Sequence, residues 1–197
     1  ASCLVGSEMC IRDRSITNGV ATIGSATPTS ISRIGDHQYV LGFSLSGTPN
    51  GSEQLAVVPI ANSIFDINGT ASSTSQSNNT VNLFEKVLPT ISSTALAADN
   101  STITATFSEA VFKSRSDSGT GFAGNGDLEV SDFVLSMSGG VATLGSATPT
   151  SVSKSSNAYT LGINYIGLPN GSEVITVIPA QDAIYDNTGN TVSYTHL

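Results

Sequence analysis

The sequence predicts an all-β protein made of antiparallel sandwiches in tandem. Three observations carry this. Apolar residues recur with period two rather than 3.6, which puts one face of each segment in a core and the other in water. Asn-Gly pairs beginning at 18, 50, 68, 125 and 170 punctuate those segments with turn signals. A block of domain size also occurs twice along the chain.

Taken in order, the alternation runs as follows. Tyr39, Leu41, Phe43 and Leu45 form an inward row, and Leu55 with Val57 forms the next. A polar stretch from Ala71 to Asn79 reads as a loop, Thr80 to Phe84 as a final strand, and Glu85 to Pro89 as a linker. Ile103, Ala105 and Phe107 then alternate with Thr102, Thr104 and Thr106, residue types suited to a pleated, half-buried surface. Phe133, Leu135 and Met137 follow, then Tyr159, Leu161, Ile163 and Tyr165, then Ile175 and Val177. Helical periodicity is weak, and Thr94 to Ala98 is too short for a convincing helix.

The repeat has a period of about 120 residues. Gly19 to Ser30 (Gly-Val-Ala-Thr-Ile-Gly-Ser-Ala-Thr-Pro-Thr-Ser) returns as Gly140 to Ser151 with Leu144 for Ile23. Pro49-Asn50-Gly51-Ser52-Glu53 returns intact as Pro169 to Glu173, and Ile64-Phe65-Asp66 returns as Ile184-Tyr185-Asp186. One residue is dropped between Ser30 and Tyr39. The first copy starts in mid-domain. The second begins near Pro89 and lacks a counterpart of Ser72 to Leu83.

Both ends read differently from the rest. Met9-Cys10-Ile11-Arg12-Asp13-Arg14 can be encoded by ATG TGT ATA AGA GAC AGN. The reverse complement of that word encodes Val192-Ser193-Tyr194-Thr195-His196, and the flanking Glu8 codon inverts to that of Leu197. The word resembles the mosaic end of a transposase sequencing adapter. Residues 1–14 and 192–197 are therefore expected to be adapter-derived and are set aside from fold reasoning. What lies between divides into 15–88, the C-terminal part of one repeat with its linker, and 89–191, a nearly complete repeat. The trimming removes two acids and two bases, so the formal charge stays at −8, while both cysteines and one of the two histidines go. The reading frame reads as an internal piece of a longer one.

Composition excludes several function classes. The acidic balance, with only 11% charged residues, lacks the basic stripe that nucleic-acid binding needs. No apolar run approaches the roughly 18 residues of a membrane span.

Three stretches, Thr104-Ala-Thr-Phe-Ser-Glu-Ala-Val111, Leu128-Glu-Val-Ser-Asp-Phe-Val134 and Ile184-Tyr-Asp-Asn-Thr-Gly-Asn190, resemble blocks of the bacterial immunoglobulin-like repeats of large surface and adhesin proteins. The resemblance covers most of Val87 to Thr191 and the first copy in part. It implies tandem immunoglobulin-like antiparallel β-sandwiches in an extracellular, cell-surface protein.

Few residues suggest chemistry. Gly119-Thr-Gly-Phe-Ala-Gly124 fits a dinucleotide-loop pattern, but an alternating strand follows it where a helix N-terminus is needed, so a hairpin loop is expected. Gly42-Phe-Ser-Leu-Ser46 lacks the second glycine of a nucleophile elbow, and His37 falls in a loop that the second copy shortens. Calcium is the one ligand the sequence offers a candidate site. Asp186-Asn187-Thr188-Gly189-Asn190 presents Asp186 and the oxygens of the next residues, Thr188 among them, on a tight loop. Asp66-Ile-Asn-Gly69 is its counterpart. Asp117, Asp127, Glu129 and Asp132 lie around the glycine-rich loop, and a site between domains, where Glu109 or Asp99 meets a loop of the neighbour, is the mixed alternative. Asx turns and solvated acids are the preferred account of these groups. Asn-x-Ser/Thr triplets at 50, 68, 78, 100 and 170 follow from composition.

The expected function is a non-catalytic structural and adhesive repeat, a stalk or spacer whose partners are neighbouring repeats and a cell-surface glycan or protein. The alternative is a carbohydrate-binding accessory module of a secreted enzyme, with Phe65 and Tyr185 as the candidate stacking rings. No constellation supports an enzyme.

Overall fold

A computed structural model describes residues 11–117 and 122–193. The chain is all-β and antiparallel, and it divides into two compact units, one ending at Val87 and one beginning at Leu88.

In the first unit, β1 (Ile11–Thr17) pairs with β6 (Gln54–Pro59). Between them come β2 (Thr22–Ile23), β3 (Ser30–Arg33), β4 (Tyr39–Gly42) and β5 (Leu45–Ser46). β2 pairs with β5, and β3 with β4. β7 (Thr80–Asn82) adds to the far side of β6 and completes the order β1-β6-β7.

The second unit opens with a half that has no counterpart among the described residues of the first. It consists of β8 (Ile91–Leu96), β9 (Thr102–Phe107), β10 (Val111–Phe112), β11 (Ser114–Asp117) and β12 (Phe122–Asn125). The repeat block then follows as β13 (Phe133–Ser138), β14 (Thr143–Leu144), β15 (Val152–Ser155), β16 (Ala158–Gly162), β17 (Tyr165–Ile166), β18 (Val174–Pro179) and β19 (Tyr185–Asp186). β15-β16-β9-β8 make one four-stranded sheet, and β13 pairs with β18. The segment from Thr94, read above as too short for a helix, belongs to strand β8.

The alternation of β9 becomes the core of this unit. Ile103, Ala105 and Phe107 pack with Phe133, Leu135, Tyr159, Leu161 and Ile184. Phe107 and Tyr159 meet edge to face at 5.7 Å, and the Tyr159 hydroxyl donates to the Val111 carbonyl at 3.1 Å. The rings thus fill the core while the one polar group among them keeps a partner.

The same inward row of the first unit has no such cover. Tyr39, the equivalent of Tyr159, is 51% exposed against 1%. Phe43, Leu45, Ile64 and Phe65 are exposed as well. The reason is topological: β16 lies against β9, whereas among the described strands β4 pairs with β3 alone.

Residues 11–14, set aside in the sequence, nonetheless extend β1. Arg14 pairs with Val57 and donates its backbone N–H to Ala26, as Leu135 does to Ala147. Arg14 therefore occupies the core position that the second copy fills with Leu135. It is 3% exposed. Its Nη1 donates to the Gly42 carbonyl at 2.9 Å and its guanidinium lies 5.9 Å from the Phe43 ring, but Nε and Nη2 have no partner among the described residues. Desolvation holds this guanidinium's pKa below its ordinary value. At the other end Val192 joins the apolar core of the second unit, and its N–H bonds the Ile184 carbonyl.

Candidate functional site

The most developed polar sites are two inward-turned carboxylates, one buried and one half-buried, that sequence reasoning passed over. Glu53 ends the Pro-Asn-Gly-Ser-Glu block and is fully buried. Its Oε1 accepts the backbone N–H of Val20 at 2.9 Å and of Ala21 at 3.0 Å, and its Oε2 accepts those of Asn50 and Gly51 at 3.0 Å. Glu173 repeats the arrangement with Val141 at 2.9 Å, Ala142 at 3.1 Å, and Asn170 and Gly171 at 3.0 Å. In each copy the side chain ties the turn after the first strand of the block to the turn before β6 or β18.

These N–H donors favour the ionised form. Despite opposing desolvation, both carboxyls are held down to about 2. The glycine is part of the device. Gly19 and Gly140 have positive φ, and a Cβ there would lie 2.3 and 2.2 Å from the facing carboxyl carbon. Any side chain would expel the glutamate. The signal available in sequence was the verbatim recurrence of both the glycine and the glutamate.

The residues singled out for calcium lie apart from this device. Asp186 is buried, and its carboxylate already accepts four hydrogen bonds from its own loop. Oδ1 takes the N–H of Thr188 at 2.8 Å, the Thr188 hydroxyl at 3.0 Å and the N–H of Asn190 at 2.8 Å, while Oδ2 takes Asn190 Nδ2 at 2.8 Å. Arg115 closes the loop, donating to the Gly189 carbonyl at 3.0 Å with its guanidinium 5.5 Å from the Tyr185 ring. Asp66 makes the smaller, exposed version, accepting from Asn68 at 2.9 Å and Thr70 at 2.8 Å.

The other acids are dispersed. Asp127 pairs with Lys154 at 2.8 Å and Glu129 with Lys113 at 2.5 Å. Asp132 accepts the Glu129 N–H at 2.7 Å, and burial raises its pKa. Asp99 accepts from Ser101, which lowers its own. Among the described residues, no group of three or more His, Cys, Asp or Glu is placed to hold a metal ion.

The remaining candidates are equally separate. His37 is exposed in the loop between β3 and β4, and Ser44 lies between β4 and β5. Phe65 is exposed, whereas Tyr185 is half-buried, with its hydroxyl on the Asp182 carbonyl at 2.6 Å. The start of the glycine-rich loop, Gly119 to Gly121 of the stretch ending at Gly124, lies outside the described residues, as do Cys3, Cys10 and the Asp117 side chain.

No family model matches the chain, and neither does any curated protein or solved structure.

Proposed function

We propose that the chain holds the C-terminal part of one immunoglobulin-like repeat and a nearly complete second, from the stalk of a large extracellular surface protein, acting as a spacer and not as a catalyst. One observation carries the reading: both copies spend their most elaborate polar chemistry on the same internal backbone tie. Glu53 and Glu173 each staple two turns of their own unit, and each carboxylate is turned inward on N–H groups. A module that repeats a self-contained tie in every copy is suited to bearing load in series. Asp186 likewise spends its oxygens on its own loop.

The adapter origin of residues 1–14 and 192–197 belongs to the same reading. A charged Arg14 in the seat of Leu135 is what translated adapter sequence spliced onto a repeat would leave there.

The test is to place increasing numbers of the 15–191 block between a membrane anchor and a ligand-binding head on a bacterial cell. Capture of the cells by immobilised ligand should rise with copy number, and flexible Gly/Ser linkers of the same residue count should do less. Equal performance by the linkers would overturn the spacer reading, as would saturable binding of a glycan by the chain alone.

A further inference from the structure

The chain carries Asn-Gly pairs beginning at 18, 50, 68, 125 and 170. Asparagine is thermolabile, and a following glycine leaves the next backbone nitrogen unhindered by a Cβ. That nitrogen is the nucleophile that attacks the side-chain amide, so its hydrogen bond decides whether the pair reacts. The glutamate ties disarm two pairs. Gly51 donates its N–H to Glu53 Oε2 at 3.0 Å, and Gly171 donates to Glu173 Oε2 at 3.0 Å. The asparagine oxygens are held as well, Asn50 Oδ1 by the Ser52 N–H and Asn170 Oδ1 by the Ser172 N–H, each at 3.0 Å. Gly69 donates to the Asp66 carbonyl at 3.1 Å. Asn125 lies in β12 opposite Ser114, whose hydroxyl donates to the Asn125 carbonyl at 2.9 Å.

Asn18-Gly19 is the exception. Both residues are exposed, in a turn of two left-handed conformations with φ 62° and 65°. β1 ends at Thr17, so the pair lies outside the ladder. Among the described residues no hydrogen bond holds the Gly19 N–H or the Asn18 side chain. The second copy has Gly139-Gly140 at these positions and no amide to lose. It keeps the same left-handed turn and the same tie to its glutamate.

We propose that Asn18 is a self-modification site, with water as the only co-reactant. The Gly19 nitrogen gives its proton to solvent and bonds to Asn18 Cγ. The bond from Cγ to the side-chain nitrogen breaks, and that nitrogen leaves as ammonia. Water then opens the resulting cyclic imide at either carbonyl, giving aspartate or isoaspartate. One water enters and one ammonia leaves, with no change of oxidation state. The product falls on the glutamate tie. A Cβ on Gly19 would meet Glu53 Cδ at 2.3 Å, so the Glu53 carboxyl lies directly against this turn. A new carboxylate beside it, or the extra main-chain atom of isoaspartate just before the Val20 and Ala21 donors, loosens the tie of the first unit alone.

The test ages the full chain in mildly alkaline buffer, folded and in urea, and maps the amide-to-acid mass gain pair by pair. In the folded chain Asn18 should convert first, with Asn50 and Asn170 slower by about tenfold, the weight of the hydrogen bond that their glycine nitrogens must break. In urea all the Asn-Gly pairs should convert at comparable rates. Calorimetry of the aged chain should show a lowered transition for the first unit and an unmoved one for the second. Asn18→Gly, which installs the second copy's residue at a positive φ that glycine accepts, should abolish the drop. Conversion at Asn50, Asn68, Asn125 or Asn170 as fast as at Asn18 in the folded chain, no folded-state preference beyond that in urea, or an aged first unit as stable as the fresh one would each overturn the proposal.

Discussion

Replacing Arg14 with Leu should stabilise the first unit. The gain has two parts. Nε and Nη2 are buried without partners, and each such group costs about 1–3 kcal/mol. Leu adds about 1 kcal/mol of apolar burial beyond what the arginine stem already contributes. Two losses oppose it: the charge-assisted bond from Nη1, about 1.5–3 kcal/mol, and the cation–π contact with Phe43, about 0.5–1 kcal/mol. The Gly42 carbonyl is not orphaned, because it also accepts the Thr29 N–H at 2.9 Å. The balance favours Leu by about 1–2 kcal/mol, a rise in midpoint of roughly 5–10 °C for a unit of this size. Scanning calorimetry of the chain, with Arg14→Met as a control that keeps the stem length, reads this out. The second unit supplies an internal reference transition. A fall in the first transition for both variants would show that the charged interactions outweigh the desolvation, and would refute the reasoning.

Further outcomes follow from the geometry. For Glu53 and Glu173 the ordinary value is 4.5 and the folded value about 2, so their contribution is full above about pH 4.5 and drains as pH falls through about 2. Thermal melts across that window should therefore be flatter for the Glu53→Gln and Glu173→Gln double variant than for the parent. Tyr159→Ala should cost about 3–5 kcal/mol, while the equivalent Tyr39→Ala should cost under about 1 kcal/mol, both measured by urea unfolding. Asp186→Ala should cost about 2–4 kcal/mol by stripping the acceptor from four donors of its loop. Millimolar calcium should leave the parent's midpoint unchanged; a rise would assign the loop to the metal. Subtilisin should nick first within 73–78, which is exposed and outside any strand, and mass spectrometry of the first fragments checks it.

The strands were legible in the sequence because a period of two is a direct imprint of a pleated sheet with one dry face. Ile103, Ala105 and Phe107 became the core row their spacing implies. The identical logic misjudged Tyr39, Phe43 and Leu45, because alternation names the face that seeks burial and not the strands that cover it. The Glu53 and Glu173 ties were not foreseen. An isolated glutamate in a turn block looks like a solvated charge, and only folding brings the Val20 and Val141 amides to it across more than thirty residues. The Asp186 loop was easier to read, since its donors lie within four positions of it.

The glutamate ties have a consequence for any array of these copies. Each tie is confined to its own unit and carries the same acid threshold, about 2. Protonation would therefore strike every copy at one pH instead of loosening the row one link at a time. Acid therefore reaches the two units through the same kind of group, one internal tie in each.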